Sequence, residues 1–148
     1  MDRRGFLMLG GAAGVAGVGV VSLLAGQGRS SELAGAGYMH EPMSVEEMRA
    51  RGALIVDIRT PPEWAQTGVI EGAELVTFEG TGSFAGAFLA ALGDKIADGR
   101  EVVLICRSGN RTQAAAGALA GRIENKVTSV EGGMKRLMRE GYRPVAVE

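Results

Sequence analysis

A chain of 148 residues has room for one domain of ordinary size around a single core. Its 16 basic and 17 acidic side chains nearly cancel to a formal charge of −1, so the clustered basic excess of a nucleic-acid binder is missing. One cysteine can form no internal disulfide, so the fold must stand on its apolar core and the odd thiol needs its own explanation.

The chain opens MDRRGFLMLGGAAGVAGVGVVSLLAGQGRSSELAGAG. Arg3 and Arg4 precede an uncharged run from Gly5 to Gly28, and small and polar residues lead on to Ala34-Gly35-Ala36, a small-x-small site that suits a signal peptidase. This is the layout of a secretory leader, so residues 1–36 are set apart as signal and linker, and residues 37–148 are taken as the folded domain. Arg3-Arg4-Gly5-Phe6-Leu7 resembles the twin-arginine export motif, with Asp2 and Met8 departing from it at the flanks. Gly10, Gly11, Gly14, Gly17 and Gly19 lower the hydrophobicity of the run, as the twin-arginine route favours. That resemblance implies a protein folded in the cytoplasm and exported to the periplasm, where a lone thiol escapes intramolecular oxidation. Two points stay open: cleavage falls near Ala36 or near Ala25, or the run stays uncleaved and anchors the chain to the inner membrane, being long enough for the ~20 residues a span needs. Removing residues 1–36 takes away three arginines and two acids, so the remaining domain carries −2.

A flexible stretch to Pro42 precedes Ser44-Val45-Glu46-Glu47, a capping box that starts a short helix ended by Gly52. The apolar run ALIVDI (53–58) is a strand buried on both faces. Pro61 and Pro62 open a short helix that Gly68 ends, AELVTF (73–78) is the next strand, and a Gly-rich loop (79–83) leads into the helix FAGAFLAAL. EVVLIC (101–106) is a second fully apolar strand, and a helix from about Thr112 runs to Gly121. KVTSVE (126–131) is a strand and GGMKRLMREG a final helix with Met134, Leu137 and Met138 on one face. Alternating strands and helices predict an α/β fold with a mostly parallel sheet and helices on both faces. In such sheets functional sites gather beyond the carboxyl ends of the strands, and Cys106 ends one.

The loop after it reads CRSGNR (106–111). Between a strand and a helix start, Gly109 permits positive φ, so the amides of residues 107–112 can turn inward as an anion-binding nest around Cys106. Arg107 and Arg111 add positive charge. Cysteines in such surroundings have pKa values lowered from about 8.5 to about 3.5–7.5, so the loop predicts a thiolate nucleophile and not a buried filler.

CRSGNRT is similar to the active-site loop of single-domain rhodaneses. LIVDIRTPPEWAQTGVIEGAELV (54–76) resembles the family's first strand-turn-helix segment and VEGGMKRLMREGYRPV (130–145) its closing one, so the likeness spans about Ser44 to Val145. Val69 and Glu71 depart from the His and Pro usual in the turn, Leu137 replaces a Trp, and Arg143 separates Tyr142 from Pro144.

The resemblance implies a rhodanese-like fold and sulfur transfer, with Cys106 attacking the outer sulfur of a small anionic donor such as thiosulfate, releasing sulfite and holding a persulfide for a thiol or cyanide acceptor. The inward amides of the loop would hold the anionic persulfide. Arg107 would attract the donor, Arg111 close the loop and orient the donor, Ser108 donate a hydrogen bond and Asn110 stabilise the turn. Asp57 and Arg59 end the neighbouring strand and either line the rim or pair to fix its geometry; Glu63 is a structural partner for Arg59 or Arg111, and Trp64 belongs to the core. His40, in the flexible stretch, has no expected catalytic part. One cysteine and one histidine argue against a four-ligand metal site built from those residues, and the chemistry requires no cofactor. Two alternatives remain: a sulfur-carrier module that takes persulfide sulfur from a protein partner without turnover, and a phosphatase or arsenate reductase. Related enzymes of the latter kind place five residues between Cys and Arg, whereas four separate Cys106 from Arg111.

Overall fold

The computed structural model describes residues 37–148, together with the backbone of residues 32–34. The expected leader over residues 1–36 otherwise lies outside the described residues.

The chain folds as β1 (Glu32–Ala34), β2 (Tyr38–Glu41), α1 (Val45–Ala50), β3 (Leu54–Asp57), α2 (Pro61–Thr67), β4 (Glu74–Leu75), α3 (Thr81–Leu92), β5 (Val102–Ile105), α4 (Asn110–Ala120), β6 (Val127–Val130) and α5 (Gly133–Arg139), with a 3-10 turn at Gly93–Ile96. The sheet order is β1-β2-β6-β5-β3-β4, and every pairing is parallel except that of β1 with β2. The local signals act as the sequence requires. Ser44 accepts from the Glu47 amide while Glu47 reaches back to the Ser44 amide, Pro61 and Pro62 sit at the start of α2, and Gly68 caps its end with φ 78°.

Both faces of the sheet are covered, so β3, β5 and β6 are buried along their whole length. Because strand side chains alternate, Val56, Ile58, Leu104 and Cys106 point to one side and pack with Phe84, Phe88 and Leu119 of α3 and α4. Ile55, Val103, Ile105 and Val130 point to the other and meet Met48, Met134 and Leu137 of α1 and α5. Each such fully buried side chain contributes roughly 1.5–3 kcal/mol.

Four differences from the sequence reading matter. Tyr38–Glu41 is a parallel strand beside β6 and not a flexible stretch; only Tyr38 is buried in it, so no apolar run announced it. The strand expected over residues 73–78 is a ladder of two residues at the sheet edge, although the amides of Val76 and Phe78 still donate to Asp57 and Ile58 carbonyls. Helix α4 begins at Asn110, two residues before Thr112, because Gly109 takes the left-handed conformation that starts it. Trp64 is half-buried, with its indole Nε1 enclosed and without a partner among the described residues.

Candidate active site

Strand β5 ends one residue before Cys106, which keeps the strand's alternation and aims its sulfur at the side of α4. Residues 107–109 then fold back over it. Gly109, at φ 96°, turns its amide inward and donates to Cys106 Sγ at 3.1 Å. Thr112, in the first turn of α4, sets its hydroxyl 3.8 Å from the same sulfur. Both groups can meet an anionic sulfur as donors. Cys106 is 1 % exposed, so its sulfur lies enclosed beneath the loop.

The loop is held from behind by the Gly132-Gly133 pair. Met134 N–H donates to the Cys106 carbonyl at 2.8 Å and Lys135 N–H to the Arg107 carbonyl at 3.0 Å, so the first turn of α5 fastens the loop backbone. Gly133 has φ 54°, and a Cβ there would stand 2.7 Å from Arg107 C and closer still to the Cys106 carbonyl oxygen. Gly109 is confined less severely, since its Cβ would stand 3.0 Å from the Gly132 nitrogen and 3.1 Å from the Val130 carbonyl oxygen. These glycines are required by contact as well as by φ.

Arg111 turns sideways. Its two terminal nitrogens donate to the two Glu63 oxygens at 2.8 and 2.6 Å, tying α4 to α2. Glu63 also accepts from Thr60 N–H at 3.0 Å as the cap of α2. Arg111, with help from Thr60, holds the Glu63 carboxyl down to about 2 against the effect of burial. Glu63 in turn raises the Arg111 pKa. Much of the positive field expected from Arg111 is therefore offset by its partner.

Asp57 and Arg59 pair with each other, fully buried, through a forked contact of 2.6–3.0 Å. Arg59 continues to Thr67 Oγ1 at 2.6 Å and to the Gly68 carbonyl at 2.7 Å, so it fixes the far end of α2. The pairing that the sequence left open is present, and Arg59 also lines the cavity beside Arg107. Arg107, Ser108 and Asn110 are exposed on the rim. Beside Arg107 lies a cavity of about 270 Å³ that Lys135, Met134 and Met138 also line. Sequence reasoning missed Lys135, whose place is set by the α5 contact to the loop.

It missed a buried chain of hydroxyls as well. Ser129 Oγ donates to Thr112 Oγ1 at 2.8 Å, and His40 Nδ1 lies 3.0 Å from Ser129 Oγ. The signal was available in part: Ser129 is a polar residue inside a fully buried strand, and such groups need partners.

A family model described as a rhodanese-like domain matches residues 41–140. Thiosulfate sulfurtransferase GlpE of Ectopseudomonas mendocina is 33 % identical over 95 residues, which are 64 % of this chain and 78 % of that protein. The crystal structure of a rhodanese-related protein from Thermoplasma volcanium has a TM-score of 0.53 at 23 % identity and covers 73 % of this chain and 99 % of its own. A Rhodopseudomonas palustris protein of unknown function, described as a possible tyrosine phosphatase, has a TM-score of 0.55 at 25 % identity over 68 % of this chain and 81 % of its own.

Proposed function

The chain belongs to the rhodanese-like domain family, and from that premise we propose that it is a sulfurtransferase moving a sulfane sulfur from thiosulfate, or a similar anionic donor, to a thiophilic acceptor. The observation that carries this reading is the cup around Cys106, with a Gly109 amide at 3.1 Å and Thr112 at 3.8 Å from the sulfur. The relative named as a thiosulfate sulfurtransferase supports the donor class.

In the first step the Cys106 thiolate attacks the outer sulfur of thiosulfate. The new S–S bond forms as the sulfur–sulfur bond of the donor breaks, and sulfite leaves with the electron pair. Cyanide or a thiolate then attacks the outer sulfur of the persulfide, and Cys106 leaves as a thiolate, ready for another cycle. Both steps bring two anions together. Exposed Arg107 and Lys135 lower that repulsion at the mouth, while the Gly109 amide and Thr112 hydroxyl serve the charge on Cys106 itself. Arg111 and Glu63 hold the loop's shape, and no step requires a proton from a carboxyl group.

The test is intact mass of the full chain after thiosulfate and again after cyanide, beside Cys106→Ser. One added sulfur that cyanide removes, absent from the serine variant, is the expected result. No added sulfur overturns the thiosulfate reading. Slow turnover despite sulfur uptake from a protein persulfide would make the chain a carrier module. The possible-phosphatase description of the R. palustris relative motivates one control, phosphate release from an aryl phosphate; with four residues between Cys106 and Arg111 none is expected. Export through the twin-arginine route is part of the same proposal, supported by Arg3 and Arg4, and replacing both by lysine should leave the full-length precursor in the cytoplasm.

A further inference from the structure

The sulfur of Cys106 stands at one end of a line of polar groups that begins near the surface. His40 on β2 and Ser129 on β6 are direct neighbours in the parallel ladder, and the ladder fixes their side chains on the same face as the Cys106 sulfur. His40 is half-buried, whereas Ser129 and Thr112 are each 0 % exposed. The contacts run His40 Nδ1 to Ser129 Oγ at 3.0 Å, Ser129 Oγ to Thr112 Oγ1 at 2.8 Å, and Thr112 Oγ1 to Cys106 Sγ at 3.8 Å. They join three elements to the loop after β5 and lie within a face that is otherwise apolar.

We propose that His40 is a positioning residue for Cys106, acting through Ser129 and Thr112 to aim a hydroxyl proton at the sulfur. This rests on the reading of Cys106 as the sulfur-carrying nucleophile. Each hydroxyl has a single proton, and neither buried hydroxyl has solvent to turn to, so the direction of one bond fixes the next. With a proton on Nδ1, His40 donates to Ser129, Ser129 donates to Thr112, and Thr112 has its own proton left for another acceptor. While Cys106 is a thiol that acceptor is the Gly109 carbonyl, at 2.9 Å. When the sulfur carries charge, as nucleophile in the first step and leaving group in the second, the Thr112 proton swings to it. Gln113 Nε2, 3.5 Å from the same Gly109 carbonyl, remains as that oxygen's donor.

Without a donor at the His40 position the order breaks. The Ser129 proton is free to point away from Thr112, and the Thr112 proton is drawn to Ser129 instead of the sulfur. A histidine that merely filled space on β2 would have no such effect on a cysteine three contacts away.

The test uses the full chain with His40→Phe, His40→Asn, Ser129→Ala and the double variant His40→Phe/Ser129→Ala. Two rates are read: alkylation of Cys106 by iodoacetamide, and single-turnover discharge of the persulfide to cyanide. His40→Phe is expected to slow both by roughly 3- to 10-fold, the effect of one misdirected hydrogen bond on an ionised sulfur, and Ser129→Ala, which removes the competing acceptor and costs only the bond that polarises the Thr112 hydroxyl, is expected to slow them less. The double variant is expected to be no slower than the slower single, since both cut one line. His40→Asn, whose amide can occupy the place of Nδ1–H, is expected to recover most of the loss. Melting temperatures check the fold, and His40→Ala replaces the Phe variant if that one does not fold. Rates within twofold of wild type for His40→Phe, multiplicative losses in the double variant, or no recovery with Asn would each overturn the proposal. Alkylation needs no sulfur donor, so a wild-type chain that is alkylated at Cys106 but takes no sulfur from thiosulfate refutes the sulfurtransfer reading while leaving the relay to be judged on its own variants.

Discussion

Gly133→Ala places a methyl group where the backbone of the Cys106 loop already runs. At φ 54° an alanine pays the left-handed strain of about 1–2 kcal/mol, but contact adds to it here. The new Cβ would stand 2.7 Å from Arg107 C and 2.8 Å from Arg107 O, with the Cys106 carbonyl oxygen nearer still, and backbone atoms cannot rotate aside. Relief requires the first turn of α5 to move off the loop, which lengthens the bonds from Met134 and Lys135 amides to the Cys106 and Arg107 carbonyls. Two such bonds at about 0.5–1.5 kcal/mol each bring the expected loss to about 2–5 kcal/mol. Gly52→Ala is the matched control, since Gly52 has φ 63° with nothing within 4 Å of its Cβ position, so it carries strain alone. Urea unfolding of both variants gives the two losses, and iodoacetamide gives the state of the cup. Gly133→Ala within about 0.5 kcal/mol of Gly52→Ala, with Cys106 alkylated at the wild-type rate, would show that α5 does not fasten the loop.

Asp57→Asn leaves the buried Arg59 guanidinium without its counter-charge and is expected to cost about 3–5 kcal/mol in urea unfolding; a loss under 1 kcal/mol would mean that the pair is not what fixes α2. Glu63→Gln tests the tie between α2 and α4 by its pH dependence. Because Arg111 holds the Glu63 carboxyl down from 4.5 to about 2, the wild type's advantage is whole above pH 4.5 and is lost as pH falls through about 2. After allowance for its partial exposure it is about 1–2 kcal/mol at pH 7 and closes by pH 2, read from melts at pH 7, 4 and 2; an advantage that persists at pH 2 contradicts the assignment. Arg107→Ala is expected to raise KM for thiosulfate about 10-fold and to change alkylation by uncharged iodoacetamide less than twofold, and an equal loss in both assays would place Arg107 at the sulfur instead of the mouth.

The sequence disclosed what depends on neighbours along the chain. The capping box at Ser44, the Pro61-Pro62 start, the apolar runs of β3 and β5, and a glycine with positive φ at 109 are local rules, and the structure follows them. The position of Cys106 at a strand's carboxyl end follows from the same logic. Tyr38–Glu41 escaped because a four-residue strand with one buried side chain has no periodicity to read; only its ladder with β6 makes it a strand. His40 was lost with it, since its partner Ser129 lies 89 residues away. The demand at Gly133 is of the same kind: nothing between residues 130 and 140 reveals that the Cys106 carbonyl lies against it.

Those long-range contacts explain how a loop of four residues between Cys106 and Arg111 can hold a defined shape around a reactive sulfur. Arg111 alone could not secure it, because its side chain is 32 % exposed to competition from water and engaged by Glu63. The loop is fixed on three sides instead. Glu63 grips its far end from α2, the α5 amides bind its carbonyls from behind, and Thr112 backs the sulfur from within α4. Each support comes from a different stretch of sequence, and none consumes the amide of Gly109, which stays free to serve the charge on sulfur. The ion pair and the α5 amides that set the loop's backbone are thus distinct from the Gly109 amide and Thr112 hydroxyl that meet the sulfur, so the backbone of the cup keeps its shape whichever charge the sulfur carries.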